Sequence, residues 1–308
     1  MSVPHLKLPD IVYKYTSPAA ARLIIANRTL RIGRPTEMND PFDAYIDDLF
    51  DVELKDSYKA AAVTFVDILS RDPAEFAKRI GVPLEEAIAA SAAMNAGTVA
   101  QRDELLALFA SSAVEEMYPQ LKTEREALEI QKAAIVAQFR NSGIFCATRS
   151  NSNLLMWSHY ADEHRGVVFG FRPDAARDSF LCLLEPVTYS DIRPSFYKPF
   201  DPLVGDMPAP TPETMRAFTR SLTAVKSTQW AYEEELRVVI PSYVPEGQPA
   251  VFISYYATEL AELYLGHRVA AGDRDELVAA ARALNKDVAI FQARISPGAY
   301  ALSFEPIK

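Results

Sequence analysis

The chain has 308 residues, a formal net charge of −9 and a pI near 5.1, with hydrophobic residues at 49% and charged residues at 24%. That balance fits a globular protein with a large core, and the acidic total disfavours a surface that grips nucleic acid by neutralising phosphates. Two cysteines, Cys146 and Cys182, are too few for a disulfide framework or a four-cysteine zinc site, so no metal site is expected from them and both read as reduced, buried thiols.

The first thirty residues contain prolines and scattered charges but no apolar stretch long enough for a signal core or a membrane span. A cytoplasmic protein with small-molecule or protein partners, and no membrane, is the expectation. "PDIVYKYTS" predicts a short strand, and Ser17-Pro18 supplies an N-cap and first helical position for a helix from Pro18 to Asn27. "TLRIGRP" predicts a second strand closed by Pro35. "EMNDPFDAY" follows as a turn, in which Asn39 and Asp40 cap the local backbone and Phe42 anchors the loop in the core. The same turn would also present Asn39 and Asp40 to a ligand.

From about Leu54 to Arg140 alanine dominates and apolar residues recur at three and four, as in "ALEIQKAAIVAQF", which predicts a helical insertion over 54–140 inside a core formed by 1–53 and 141–308. A strand from Ile144 to Thr148, a helix from Leu154 to Ala161 and a strand from Gly166 to Phe171 come next. The prolines between Pro194 and Pro212 predict a long surface loop, followed by a helix to Thr228 and a strand from Glu234 to Ile240. "AVFISY", "LAELYLG", "DVAIFQARI" and "AYALSF" add strands, with a helix from Asp273 to Leu284 among them. Strands in runs with few βαβ alternations predict an α+β fold on a mixed, mostly antiparallel sheet.

The chemistry-bearing stretch is "QWAYEEELRVVI", residues 229–240. In an extended strand Glu233, Glu235 and Arg237 share one face, while Tyr232, Glu234 and Leu236 share the other. Two convergent carboxylates on a cleft can hold a ribose hydroxyl and stabilise positive charge developing on a sugar carbon. A solvated strand end with a weak Glu235–Arg237 surface pair explains the same residues. In "MWSHYADEHRG" the five-residue spacing of His159 and His164 is wrong for a zinc-binding helix. Trp157 and Tyr160 are expected in the core there, with His159, Asp162, Glu163 and His164 facing water. Arg165, just ahead of a strand, would meet a phosphate or pair with a carboxylate.

Taken together, "VYKYTS", "LRIGRPTEMNDPFDAY", "FCATRSNSNLLMWSHYADEHRGVVFGF" and "KSTQWAYEEELRVV" resemble a bacterial family known as domain of unknown function 2971. A more distant resemblance is to the ADP-ribosyltransferase fold, in which a first strand, a small-hydroxyl motif and a Glu-x-Glu strand follow in that order. Thr148 and Ser150 match the hydroxyl motif, and Glu233 and Glu235 match Glu-x-Glu; Tyr13, Lys14 and Tyr15 stand where that fold carries Arg or His. The resemblance implies an ADP-ribosyltransferase-like split sheet and NAD as substrate. Glu235 would stabilise the ribose as nicotinamide leaves and Glu233 would orient the acceptor. Tyr13 and Tyr15 would stack on a ring, and Lys14 would meet the pyrophosphate. Tyr160 and Arg165 are added to the ligand-contacting set. Asn39, Asp40, Trp157, His159, Lys226, Trp230 and Arg237 are further cleft candidates.

Three functions follow as expectations. The first is a NAD-consuming transferase or glycohydrolase with a macromolecular acceptor, in the manner of a toxin or antiphage defence effector. The second is a non-catalytic nucleotide- or protein-binding module. The third is a metal-dependent hydrolase or nuclease using Asp40, Asp43, Glu233 and Glu235.

Overall fold

The computed structural model describes residues 8–43, 63–64, 66–109, 130, 133–134, 136–137, 139–192, 220, 223–241 and 243–308. The chain divides into two compact units, one made of Met1–Ala44, Gln138–Arg193 and Thr223–Lys308, the other of Tyr45–Ala137 and Pro194–Leu222.

The first unit opens with strand β1 (Val12–Thr16), helix α1 (Pro18–Asn27) and strand β2 (Thr29–Gly33). Ser17 caps α1 by accepting from the Ala20 amide, and Pro18 takes the first helical position, where its missing N–H costs nothing. The second unit contributes α2 (Pro73–Ile80), α3 (Leu84–Ala96) and α4 (Val99–Phe109). Asp72 caps α2 and Gly81 ends it in the left-handed conformation; Leu69, Phe76, Ala77, Ala87 and Met94 form a small core. These helices fall within the stretch expected to be helical.

Back in the first unit come β3 (Gly143–Thr148), α5 (Leu154–Tyr160), β4 (Val167–Phe171), and the short strands β5 (Glu185–Pro186), β6 (Thr188–Tyr189) and β7 (Val225–Lys226). Then follow β8 (Glu235–Ile240), β9 (Ala250–Ser254), β10 (Leu260–Leu265), α6 (Ala271–Leu284), β11 (Ala289–Ile295) and β12 (Leu302–Pro306). Ten strands join one sheet in the order β12-β11-β10-β4-β1-β3-β2-β9, with β8 paired to β3 and β5 paired to β8. Within it β10 and β11, bridged by α6, run parallel and the other pairs run antiparallel, so the expected α+β class is the one adopted.

The sheet is divided at β3. One edge of β3 pairs with β8 along its full length, from Gly143 opposite Ile240 to Thr148 opposite Glu235. The other edge meets β2 at Ile144 and β1 at Thr148. In the gap between those contacts the Lys14 ammonium donates to the Cys146 carbonyl at 2.8 Å. One sheet face carries the main core, where Ala21 and Ile25 of α1 and Leu277 and Ala281 of α6 cover Phe145, Phe169 and Leu236. The opposite face carries Tyr15, Met156, Trp157, Val168 and Tyr264.

Two expectations need correcting. The helix expected to run to Thr228 has ended before Val225, because β7 and a 3-10 turn over Thr228–Glu233, capped by Ser227, occupy that stretch. Phe42 does not anchor its turn; it is 70% exposed, and Asp40 and Asp43 are the buried residues of the loop. The expected 194–212 loop lies outside the described residues.

Candidate active site

Sheet register sets the site. Tyr13 of β1 lies opposite Thr148 of β3, and Thr148 lies opposite Glu235 of β8, so one residue from each of three neighbouring strands forms a row on one face. This row borders a cleft of about 750 Å3, within the usual range for small-molecule sites. Tyr13, Lys14, Tyr15, Thr148, Tyr160, Asn39, Lys226, Glu233, Glu235 and Arg237 all contribute to its wall, as does Asp43. Leu23 of α1 and Phe252 of β9, both more than half exposed, are apolar residues of the same wall.

Glu233 reaches the cleft by a different route from the one the strand pattern implies. It ends the 3-10 turn, and Glu234 follows in the left-handed conformation at φ 45°, so strand alternation begins at Glu235. The left-handed residue reverses the local direction and leaves both flanking carboxylates pointing inward, with Glu233 3% and Glu235 5% exposed. Thr148 Oγ1 donates to the Glu233 carbonyl at 2.5 Å, which ties the turn to the end of β3.

Five buried charges meet here: Asp43, Lys226, Glu233, Glu235 and Arg237. Arg237 donates from Nε to Glu235 Oε1 at 2.6 Å and from Nη2 to Oε2 at 2.9 Å, a two-pronged clamp. Its Nη1 donates to Asp43 Oδ1 at 2.7 Å and to the Thr223 carbonyl at 2.8 Å. Lys226 Nζ donates to Glu233 Oε2 at 2.5 Å and to Glu235 Oε2 at 3.3 Å, and sits 4.7 Å from the centre of the Trp230 ring. Tyr160 completes the shell, donating to Glu233 Oε1 at 2.5 Å while Asn39 Nδ2 donates to the Tyr160 oxygen at 2.8 Å.

The two glutamates titrate differently. Burial works to raise the Glu235 carboxyl, but the Arg237 charge and hydrogen bonds, with Lys226 behind them, hold it down to about 2. Burial raises Glu233, and the ionised Glu235 adds to that; hydrogen bonds from Lys226 and Tyr160 offset it only in part. Lys226 is disfavoured as a cation by burial, yet Glu235, Glu233 and Asp43 outweigh this and raise it above an ordinary lysine. The Cys146 thiol is raised by burial and by Glu235, so it stays protonated.

Several expected cleft residues lie elsewhere. Arg165 pairs with Glu163 at 2.8 Å on an exposed loop and meets no ligand cleft. Ser150 serves a turn, accepting from Ser152 N and from the Tyr15 hydroxyl. Trp157 is fully buried and donates to the Asn151 carbonyl, so its ring is not available to a ligand; Tyr15, which borders the cleft, meets it edge-on. His159 contacts the Tyr232 hydroxyl, Trp230 backs Lys226, and Asp40 accepts from the Phe42 amide; none of the three lines the cleft. His164 is only half-buried, stacked on Trp157. Lys14 and Tyr13 do line it, Tyr13 with its hydroxyl pushed up to about 12 by burial and Glu262.

Cys146 and Tyr189 were not singled out from sequence. Cys146 shares the Thr148 face by period-two alternation, a signal that was there to read. Tyr189, whose oxygen accepts from the Glu235 amide at 2.8 Å, sits on a two-residue strand with no pattern to expose it. The carboxylates that the metal reading would use, Asp43, Glu233 and Glu235, are paired with Lys226 and Arg237, and among the described residues no group of three or more His, Cys, Asp or Glu side chains is arranged to hold a metal ion. No helix among the described residues is long and apolar enough to cross a membrane.

A family model described as a protein of unknown function, DUF2971, matches residues 156–238, a span that runs from α5 to the middle of β8 and holds both glutamates. No curated protein and no solved structure matches the chain.

Proposed function

We propose that this chain, whose residues 156–238 belong to the DUF2971 family, binds NAD in the cleft and cleaves its nicotinamide–ribose bond, passing the ADP-ribose to an acceptor or to water. The observation that carries the reading is the row Tyr13–Thr148–Glu235 on three adjacent strands beside one cleft, with Glu233 next to it.

The chemistry follows from charge. As neutral nicotinamide leaves, positive charge builds on the ribose carbon, and a fixed negative environment lowers that barrier. Three carboxylates against two cations leave the buried cluster one negative charge when all five are ionised. Glu235 is held anionic and immobile by Arg237, so its charge needs no reorganisation during the reaction. Glu233, with its raised proton affinity, is the better base for the acceptor's proton. NAD consumption of this kind would suit a toxin or antiphage effector.

A second reading, a module that binds a nucleotide or protein without turnover, is favoured by one observation: both Glu235 oxygens are already taken by Arg237. Calorimetry with NAD, with free nicotinamide followed in the same sample, separates the two. Binding with release of nicotinamide is the transferase outcome; binding that raises the melting temperature without release is the module outcome.

A further inference from the structure

α5 is knitted to the turn that carries Glu233 by its N-cap and by two residues of its last turn. Asn153 Nδ2 donates to the Tyr232 carbonyl at 2.8 Å, His159 Nδ1 lies 3.2 Å from the Tyr232 hydroxyl, and Tyr160 donates to Glu233 Oε1 at 2.5 Å. Trp157, fully buried between them, fixes the rotation of the helix. Tyr160 is therefore held where it is by packing rather than by the carboxylate it meets.

The direction of its proton is also set. Asn39 Nδ2 can only donate, and it donates to the Tyr160 oxygen at 2.8 Å, so the phenol's own hydrogen is left for Glu233 Oε1. Lys226 takes the other oxygen, Oε2. Each Glu233 oxygen thus has one dedicated donor, one cationic and one neutral, and the neutral donor stands between the carboxylate and the exposed turn that bears Asn39.

We propose that Tyr160 is a positioning residue for Glu233: oriented by Asn39, it fixes the rotation of the carboxylate and favours its ionised form, so that Glu233 accepts a proton from the acceptor in one defined direction. The inference rests on the NAD-cleaving reading for the word acceptor, but the hydrogen-bonded chain stands independently of it. Burial and the Glu233 charge keep the phenol itself protonated, so it donates and does not act as a phenolate base. The groups facing Glu233 are Tyr160 of α5, Lys226 of β7, Glu235 of β8, Tyr189 of β6 and the adjoining Tyr232, while Asp43 pairs with Lys226 and Arg237, and Arg237 with Glu235. Among them Tyr160 is a neutral donor that can be removed without changing the net charge.

The test is the carboxyl carbon titration of Glu233, followed by NMR in uniformly labelled protein, with the signal assigned by its loss in Glu233→Gln. Tyr160→Phe is expected to raise the Glu233 titration midpoint, and Asn39→Ala, on the exposed turn, to raise it by less. Where NAD is turned over, the acidic limb of the pH–rate profile should move up with it, with kcat falling more than KM rises. Should Tyr160→Phe fold poorly, Asn39→Ala alone decides. A Glu233 midpoint unmoved in a folded variant overturns the proposal, because a purely structural tyrosine would lower the melting temperature and leave the titration in place. A wild type that releases no nicotinamide, together with a raised Glu233 midpoint in Tyr160→Phe, sinks the NAD reading and leaves this one standing.

Discussion

Arg237 is 2% exposed and satisfies two carboxylates and a carbonyl at once. A buried ion pair adds little net stability, since desolvation offsets the attraction, but stranding its partners is costly. Arg237→Met is therefore expected to destabilise the first unit by about 3–5 kcal/mol, read from urea melts. Glu235 gives the sign of the acid response. Its folded pKa, about 2, lies below the ordinary glutamate value of about 4.3, so it contributes stability above that value and loses it as pH falls towards 2. Glu233 works the other way: its raised value favours the fold at low pH and the benefit fades as pH rises through it. Melts between about pH 5 and pH 2 should show a steeper loss in the wild type than in Glu235→Gln. Equal slopes would mean that Arg237 does not depress Glu235.

At the scale of the element, α5 and the turn behind it carry the site. Asn153 accepts from the Leu155 and Met156 amides while donating to the Tyr232 carbonyl, so it is both N-cap and cross-brace. Asn153→Ala should cost about 1–2 kcal/mol for the cap. It should lower nicotinamide release by more than the stability loss explains, because the Glu233 turn loses its tether. Gly166 begins the return from α5 to β4, where a Cβ would lie 2.1 Å from the Thr16 carbonyl. Gly166→Ala should depress the melting temperature by several degrees, and an unchanged melt would show that β1 and β4 can part at that point. The elements themselves were largely legible: α1 matches its expected span, and β3, β4, α5 and α6 end within one or two residues of theirs. The turn before β8 was not. Strand alternation predicted that Glu233 and Glu235 converge, and they do, but through a 3-10 turn closed by left-handed Glu234, which a period-two pattern cannot see. Asp43 is named in the metal reading, but its pairing with Arg237 was hidden for a related reason. The Asn-Asp-Pro-Phe turn reads as local backbone chemistry, and its partner Arg237 is 194 residues away.

At the scale of the whole molecule, chain order anticipated what strand order then arranged: motifs spread from residue 13 to residue 235 are brought side by side by antiparallel register. Sequence alone could order those motifs but could not supply the register, which depends on pairings between distant strands. Nor could it show that Ser150, Arg165 and Trp157, close in sequence to true cleft residues, turn away from the cleft. The central claim is that the negative charge at Glu235 promotes departure of nicotinamide. Its most direct measurement is the rate of nicotinamide release from NAD, in the presence of a cell lysate as a source of acceptors, for the wild type and for Glu235→Gln, with melting curves confirming that both are folded. The account predicts release by the wild type and a fall of about 100-fold or more in the variant. Release at the same rate from both proteins, or none from the wild type, would contradict it.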